Sequence, residues 1–242
     1  MSNKKSDYWR NKVSLWLHDP VCKVFDIPHH EEIASKIADL LYQTVPDKDN
    51  YQAADCIASS LTRSLLPSAK DGGCIDFSDN TQIVHPLVKK VLPVDLPEVD
   101  VKKLCAEIES LLTEDLGLNK TYEEMQGLSE KEKPLNACFN YKDSPEDWAK
   151  SLFSYLFFAF QKRLRNENVG NLGAIWDILP ADTRMPDHPL WHHLGLVSAV
   201  GSSLSEDSNS QIDMAVFSIT PVQDFIAKAR KLRDYWTGSV LL

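Results

Sequence analysis

The sequence predicts a mainly α-helical domain for residues 1–205. Apolar residues recur three and four positions apart in one segment after another, which is the spacing of a single buried helix face. The strict alternation of apolar and polar residues that marks a half-buried strand is nearly absent before Met214. A polar stretch over 205–211 then predicts a domain boundary, followed by a strand and a long helix within 213–238. One strand and one helix bury too little to form a core, so we expect residues 212–242 to begin a domain of a longer protein.

The helices of the first domain are expected in six places. Their approximate bounds are 8–17, 29–41, 52–65, 101–112, 145–165 and 190–203. Pro20 disfavours helical geometry at Asp19, so the first helix should end at the His18-Asp19 pair. Ser144 followed by Pro145 is typical of a helix start, and the large apolar stripe behind it predicts the main core element. Residues 68–94 and 178–189 are expected to be loops, the second of them polar and ordered.

Composition limits the class of protein. With 242 residues and 43% hydrophobic residues the chain should be globular, as one large or two smaller domains. The apolar block 152–160 is too short to cross a bilayer, and no apolar segment follows the first residues, so we expect a cytoplasmic protein without membrane contact. The five scattered cysteines contain no Cys-x-x-Cys pair, which favours reduced thiols and argues against a zinc knuckle.

The net charge of −9 would repel a nucleic-acid backbone. Binding to nucleic acid would therefore depend on local basic patches or on other subunits. Two patches are visible, at 162–165 and at 228–233, but solvated helix faces commonly have the same composition.

The His18-Asp19 pair at a helix end is the first candidate site. An imidazole and a carboxylate there can turn toward one ion, and both are good ligands for transition metals. By itself the pair is weak, because a capped helix end with a surface histidine has the same sequence.

Three further residues are candidates for the same reason. His29 and His30 stand at a predicted helix start, where one of them either projects into a cleft or only caps the helix. Asp55 lies beside the stripe predicted from Ala54, Ile57, Leu61 and Leu65. A carboxylate in that position needs a partner, which is either a bound cation or Arg63.

Three segments resemble the polymerase-like large subunit of type III-B (Cmr-type) CRISPR effector complexes. They are Leu17–Lys23 with His30 and Glu31 close behind, Leu179–His188 with its Pro-Ala-Asp-Thr-Arg-Met-Pro-Asp-His run, and Phe217–Ile226 continuing into Ala229–Ser239. The resemblance implies a permuted HD-type helical domain for 1–205. It also implies that 212–242 is the first strand and helix of a ferredoxin-like palm domain.

The resemblance further implies an antiviral function for this chain. HD domains of this kind are metal-dependent nucleases that cleave single-stranded DNA, and the full subunit also makes cyclic oligoadenylates from ATP. The expected partners are the other subunits of the ribonucleoprotein with its guide RNA, and single-stranded DNA. Two alternatives stay open: an inactive HD scaffold that docks the palm domains and other subunits, and an HD phosphohydrolase acting on a nucleotide.

Carried over to this chain, the resemblance assigns the site. His18 and Asp19 become the catalytic pair, and the metal ligands become His18, Asp19, His30, Asp55 and His193. Lys23 and Arg184, which lie in the matching segments, are expected to contact nucleic acid. A ligand set rich in histidine favours Mn, Ni, Co or Fe over Mg. One departure from the pattern is His192, which stands where the family usually has Asp next to His193.

Overall fold

The computed structural model describes residues 7–63, 76–79, 81–85, 88, 90–120, 124 and 144–204. All of these lie within one compact unit, Met1–Ser210. Its described helices are α1 (Tyr8–Trp16), α2 (His30–Leu40), α3 (Lys48–Arg63), α4 (Val101–Leu116), α5 (Pro145–Tyr155), α6 (Gln161–Asn166) and α7 (Leu190–Ser203). The predicted mainly α-helical class is confirmed. The predicted boundary at 205–211, the strand and helix within 213–238 and the basic patch at 228–233 lie outside the described residues.

Helix α1 forms and ends where the sequence indicates. Val13, Trp16 and Leu17 are buried in the main core, and the chain leaves the helix three residues before Pro20. The first backbone N–H groups of a helix have no partner within the helix. One of them in α1, the N–H of Trp9, donates to the carboxylate of the distant Glu146 at 2.8 Å. This bond joins the first turns of α1 and α5.

Helix α5 supplies the centre of the core, as predicted. Trp148, Leu152, Leu156, Phe160 and Leu164 are all buried. The expected continuous helix is interrupted by a π-helical stretch, Leu156–Phe160, before α6 begins. The wider turn preserves the inward stripe and leaves Phe157 and Phe158 on the surface.

The predicted stripe of α3 is wrong at Ile57, which is 46% exposed. The face turned inward passes instead through Tyr51, Ala54, Asp55 and Ala58. Ala54 is fully buried because it lies against Gly201 of α7, where both residues are small enough for the two helices to approach closely. The packing of α3 on α7 therefore turns Asp55 inward. Leu65 and the side chain of Leu61 lie outside the described residues.

A short hairpin replaces part of the loop expected over 68–94. Strands β1 (Gln82–Val84) and β2 (Val91–Pro93) pair antiparallel, with Ile83 opposite Leu92. Strands of three residues are too short to give a periodic signal in the sequence. The N–H of Val84 donates to the carbonyl of Pro186 at 2.8 Å, so the hairpin supports the polar loop before α7.

Two of the three basic residues in the patch at 162–165, Arg163 and Arg165, form ion pairs with other residues of the domain. Arg163 bonds the buried Asp115 carboxylate at 2.8 Å, and Tyr155 donates to the same carboxylate at 2.6 Å. Burial and this hydrogen bond raise the pKa of Tyr155 far above its ordinary value. Arg165 pairs with Asp177. These contacts tie α4 to α5 and α6, and they favour a structural role for the patch over a nucleic-acid surface.

Among the described cysteines, Cys22 and Cys105 are reduced thiols. The Sγ atoms of Cys22 and Cys105 lie 3.7 Å apart. Among the described residues there is no helix with the length and apolarity needed to cross a membrane.

Candidate metal centre

Three residues that are far apart in the sequence converge at one point. His18 follows the C-terminal end of α1, Asp55 lies in the middle of α3, and His193 lies in the first turn of α7. One ligand atom from each lies within 4.8 Å of the others. The Nε2 atom of His193 is 3.3 Å from Oδ1 of Asp55. Because α7 packs against both α1 and α3, one helix brings all three side chains together.

Asp19 joins this group and connects it to His30. Its Oδ2 atom lies 3.3 Å from Nε2 of His18 and 3.9 Å from Nε2 of His193, and its Oδ1 atom lies 3.8 Å from Nε2 of His30. Lys23 donates to Oδ2 at 2.6 Å. The five residues that the resemblance assigns as metal ligands therefore lie in one group: three imidazoles are next to the Asp19 carboxylate, and Asp55 contacts one of them, His193.

The charge of Asp19 is maintained by its neighbours. Burial alone would raise the pKa of Asp19, but its interactions with the His18 ring and with the Lys23 ammonium group outweigh burial and hold the pKa well below its ordinary value. The carboxylate is thus ionised throughout the physiological range and is ready to bind a cation.

Two histidines are oriented by backbone carbonyl groups. Nδ1 of His18 lies 2.7 Å from the carbonyl oxygen of Leu15, and Nδ1 of His30 lies 2.5 Å from that of Ile27. A carbonyl oxygen only accepts hydrogen bonds, so Nδ1 carries the proton and Nε2 of the neutral ring keeps its lone pair. Nε2 of His18 is buried and has no hydrogen-bond partner among the described residues.

This donor set fits a transition-metal ion. Metal-binding histidines usually donate their second ring N–H to a carbonyl or a carboxylate, and here they do so with Nε2 turned toward Asp19. A buried lone pair of this kind is unfavourable unless a cation or a donor meets it. The imidazoles and carboxylates together supply the ligand types that Mn, Fe, Co, Ni and Zn share.

The group lines a cavity of about 420 Å³ that also contains positive charge. Lys23 and Arg184, the two predicted nucleic-acid contacts, both line it, and Arg184 is held there by Asp182 through an Nε–Oδ1 hydrogen bond of 2.9 Å. Sequence analysis missed Lys48 and Tyr51, which line the same cavity. Their positions seven and four residues before Asp55 place them on its helix face, and this spacing could have identified them.

The two histidines of 192–193 separate. His193 is buried in the cavity wall, whereas His192 is exposed and is not among the described residues that line the cavity. His192 is adjacent to His193 in the chain, but the two side chains point in different directions because successive helical side chains are about 100° apart. His29 is also exposed and bonds Asp26.

His188 is the residue that sequence analysis did not assign. It lines the cavity, its Nδ1 atom lies 2.7 Å from Oδ1 of Asp187, and its ring centroid is 6.2 Å from that of His193. In the Asp187-His188 pair a carboxylate is adjacent to an imidazole, as in His18-Asp19. This similarity is the feature of the sequence that could have identified His188.

Comparison with known proteins relates this chain to CRISPR-associated proteins. Residues 214–242 match the family described as CRISPR-associated protein Cmr2, N-terminal. The CRISPR system Cmr subunit Cmr2 of Pyrococcus furiosus is 26% identical over 262 residues, which cover 96% of this chain and 28% of that protein. No solved structure gave a significant match. The two matches confirm that the chain resembles the N-terminal region of the large subunit of Cmr-type CRISPR systems.

Proposed function

We propose that the helical domain is a divalent-metal-dependent phosphodiesterase that cleaves single-stranded DNA within a type III CRISPR effector complex. The observation that carries the proposal is the convergence of His18, Asp55 and His193 within 4.8 Å, next to the buried carboxylate of Asp19. With His30 at the edge, the group contains three imidazoles and two carboxylates.

A bound transition-metal ion would polarise a phosphate and lower the pKa of a coordinated water to near neutrality. The residues of the chain that would hold it are His18, Asp19, Asp55 and His193, with His30 on the other oxygen of Asp19. Imidazole ligands favour Mn, Fe, Co or Ni over Mg, which prefers oxygen ligands and keeps its waters.

The walls of the cavity provide the means to bind a nucleic-acid strand. Lys23, Lys48 and Arg184 place positive charge beside the site, where phosphate groups of a strand could be bound. Burial, together with the negative charges of Asp19, Glu31 and Asp55, raises the pKa of Tyr51, so its phenol stays neutral. The Tyr51 ring lies 5.1 Å from that of His18, where an aromatic face could stack on an unpaired base.

The inactive-scaffold alternative depends on His192. If the Asp that the family usually has there were a ligand, its exchange would weaken the site. The exposed position of His192, outside the cavity lining, favours an intact ligand set and therefore the nuclease.

The test is cleavage of a labelled single-stranded DNA oligonucleotide by the purified chain with Mn, Ni, Co and Mg in turn, together with its metal content. Changing His18 and Asp19 to Ala should abolish both metal binding and cleavage, while His192→Ala keeps both. Cleavage that survives in the double variant would place the activity elsewhere. Metal binding without cleavage in the unaltered chain would favour the scaffold.

The chain spans 28% of the length of the relative from Pyrococcus furiosus. For the full-length protein we propose, from the resemblance alone, assembly with other effector subunits and a guide RNA. On the same ground we propose ATP-dependent synthesis of cyclic oligoadenylates.

A further inference from the structure

We propose that His188 is a positioning residue for the metal centre. In this proposal its Nε2 atom accepts the Nδ1–H of His193, directly or through one water, and Asp187 orients His188 in turn. The result is a chain from Asp187 through His188 and His193 to the ion. The inference rests on the proposed metal site and concerns residues that would contact a metal ligand without contacting the ion.

The orientation of His188 is fixed by its surroundings. Its Nδ1 atom lies 2.7 Å from the Asp187 carboxylate, which only accepts, so Nδ1 carries the proton. The loop around it is held by the N–H of Ala181, which donates to the carbonyl of His188 at 3.0 Å, and by the bridge between Pro180 and Pro189. In the neutral ring Nε2 of His188 is therefore an acceptor, and it is buried without a partner among the described residues.

His193 presents the complementary group. Its Nε2 atom faces the carboxylates of Asp55 at 3.3 Å and Asp19 at 3.9 Å, so an ion bound there would use the Nε2 lone pair. A neutral imidazole that coordinates through Nε2 carries its proton on Nδ1. Nδ1 of His193 is also buried and also lacks a partner in the described part of the chain. Leaving such a donor unbonded costs about 1–3 kcal/mol.

Nε2 of His188 and Nδ1 of His193, the two buried atoms without a partner in the described part of the chain, belong to neighbouring rings. The ring centroids of His188 and His193 lie 6.2 Å apart and the rings are inclined by 51°. Facing nitrogens at that separation would lie about 4 Å apart, which is beyond a direct hydrogen bond. A small tilt of either ring, or one bridging water, closes the gap and satisfies both atoms at once.

Such a bond would matter to the metal as well as to the fold. A hydrogen bond to the distal N–H fixes the tautomer of a ligating histidine and raises its basicity, and losing it weakens metal affinity by about 10–100-fold. His188 also belongs to the same segment as Arg184, which the resemblance identified as a nucleic-acid contact.

The experiment compares three variants by Mn²⁺ titration calorimetry and by the visible spectrum of the Co²⁺-loaded chain. His188→Leu removes the acceptor and should weaken Mn²⁺ binding about 10–100-fold and alter the Co²⁺ spectrum. His188→Gln, whose amide oxygen can replace Nε2, should restore most of the affinity. His192→Leu, the matched control on the exposed neighbour of His193, should bind as the unaltered chain does. If His188→Leu lowers the melting temperature by more than a few degrees, Asp187→Asn replaces it, because it releases the ring without removing it.

A measurement on the loaded chain separates this inference from the proposed function. In ¹⁵N-histidine spectra of the chain loaded with diamagnetic Zn²⁺, Nδ1 of His193 should carry a proton that exchanges slowly with water, and this exchange should be faster in His188→Leu. Failure of the unaltered chain to bind Mn²⁺, Co²⁺ or Zn²⁺ would contradict the proposed metal site and this inference with it. Metal binding with equal affinities in His188→Leu and the unaltered chain, or with equal exchange rates, would overturn only the role of His188.

Discussion

At the scale of single residues, the candidate metal site is defined by which histidine nitrogens carry a proton and which side chains are charged. Backbone carbonyls of Leu15 and Ile27 fix the tautomers of His18 and His30. The His18 ring and Lys23 together keep the buried Asp19 ionised. The residue types were visible in the sequence. Their protonation follows from neighbours that the sequence alone does not place beside them.

Asp182 offers a test of this electrostatic arrangement through pH. Burial would raise its pKa, but the hydrogen bonds and charge of Arg184 outweigh burial and hold the pKa below its ordinary value. A carboxyl group whose pKa is lower in the folded state stabilises the fold above its unfolded pKa, and this contribution disappears as the pH falls toward the folded value. Urea unfolding midpoints measured between pH 6 and pH 3 should therefore fall less steeply for Asp182→Asn than for the unaltered chain. Parallel pH curves for the two proteins would show that Arg184 does not stabilise the charged form.

At the scale of helices, apolar periodicity identified the elements well and the inward face less well. The bounds of α7 and the buried stripes of α1 and α5 agree with the sequence. The stripe of α3 does not, because its inward face is set by close packing of Ala54 on Gly201. Contact between small residues gives almost no periodic signal, so Ile57 was assigned inward when it is exposed.

The role of α5 as the core element can be measured with a matched pair. Leu152 is fully buried, and Leu152→Ala should lower the free energy of unfolding by about 2–5 kcal/mol through lost burial and the cavity it leaves. Phe158 is 69% exposed, so Phe158→Ala should change stability by less than about 0.5 kcal/mol. Chemical denaturation followed by circular dichroism gives both values. Equal losses in the two variants would contradict the assigned core.

The contact between α3 and α7 can be tested with two glycines of the same helix. A Cβ at Gly201 would lie 2.7 Å from Leu15 and 3.3 Å from Ala54, whereas one at Gly195 would meet the half-exposed ring of Phe157 at 3.1 Å. Both changes to Ala gain helix propensity of about 1 kcal/mol. Only Gly201→Ala should also incur overpacking of about 1–3 kcal/mol, so it should be less stable than Gly195→Ala in denaturant titrations. It should also bind Mn²⁺ more weakly, because α3 carries Asp55. Equal free energies of unfolding in the two variants would show that close packing at Gly201 contributes little to stability.

At the scale of the whole molecule, the candidate centre links parts of the chain that are distant in sequence. His18, Asp55 and His193 come from three helices, and segments far from them hold the cavity loops in place. Phe77 is fully buried and its N–H bonds the carbonyl of Val24 at 2.6 Å, while β1 holds Pro186. The sequence of residues 68–94 gave little indication of their structure. Three-residue strands and a single buried residue such as Phe77 are too short to produce a repeating apolar pattern.

Because the ligands come together only in the fold, metal should stabilise the whole domain. Mn²⁺ at about 100 times its Kd should add about 2.7 kcal/mol to the free energy of unfolding and raise the Tm by several degrees. Differential scanning fluorimetry of the unaltered chain should show this shift, and His192→Ala should show it unchanged. Asp55→Asn should lose most of it. An equal shift in Asp55→Asn would mean that Mn²⁺ binds elsewhere.

The sequence by itself determined the helical class, the approximate helix bounds and, through resemblance to Cmr-type large subunits, which residues to examine for metal binding. These features are local, because they depend on spacing along one helix or on a continuous motif. Only the tertiary structure decided that Asp55 faces inward, that His192 faces solvent, that Arg163 is bound to Asp115 and that His188 lies behind His193. Each of these depends on which helix packs against which, and packing is settled by the shape and burial of residues that are far apart in the chain.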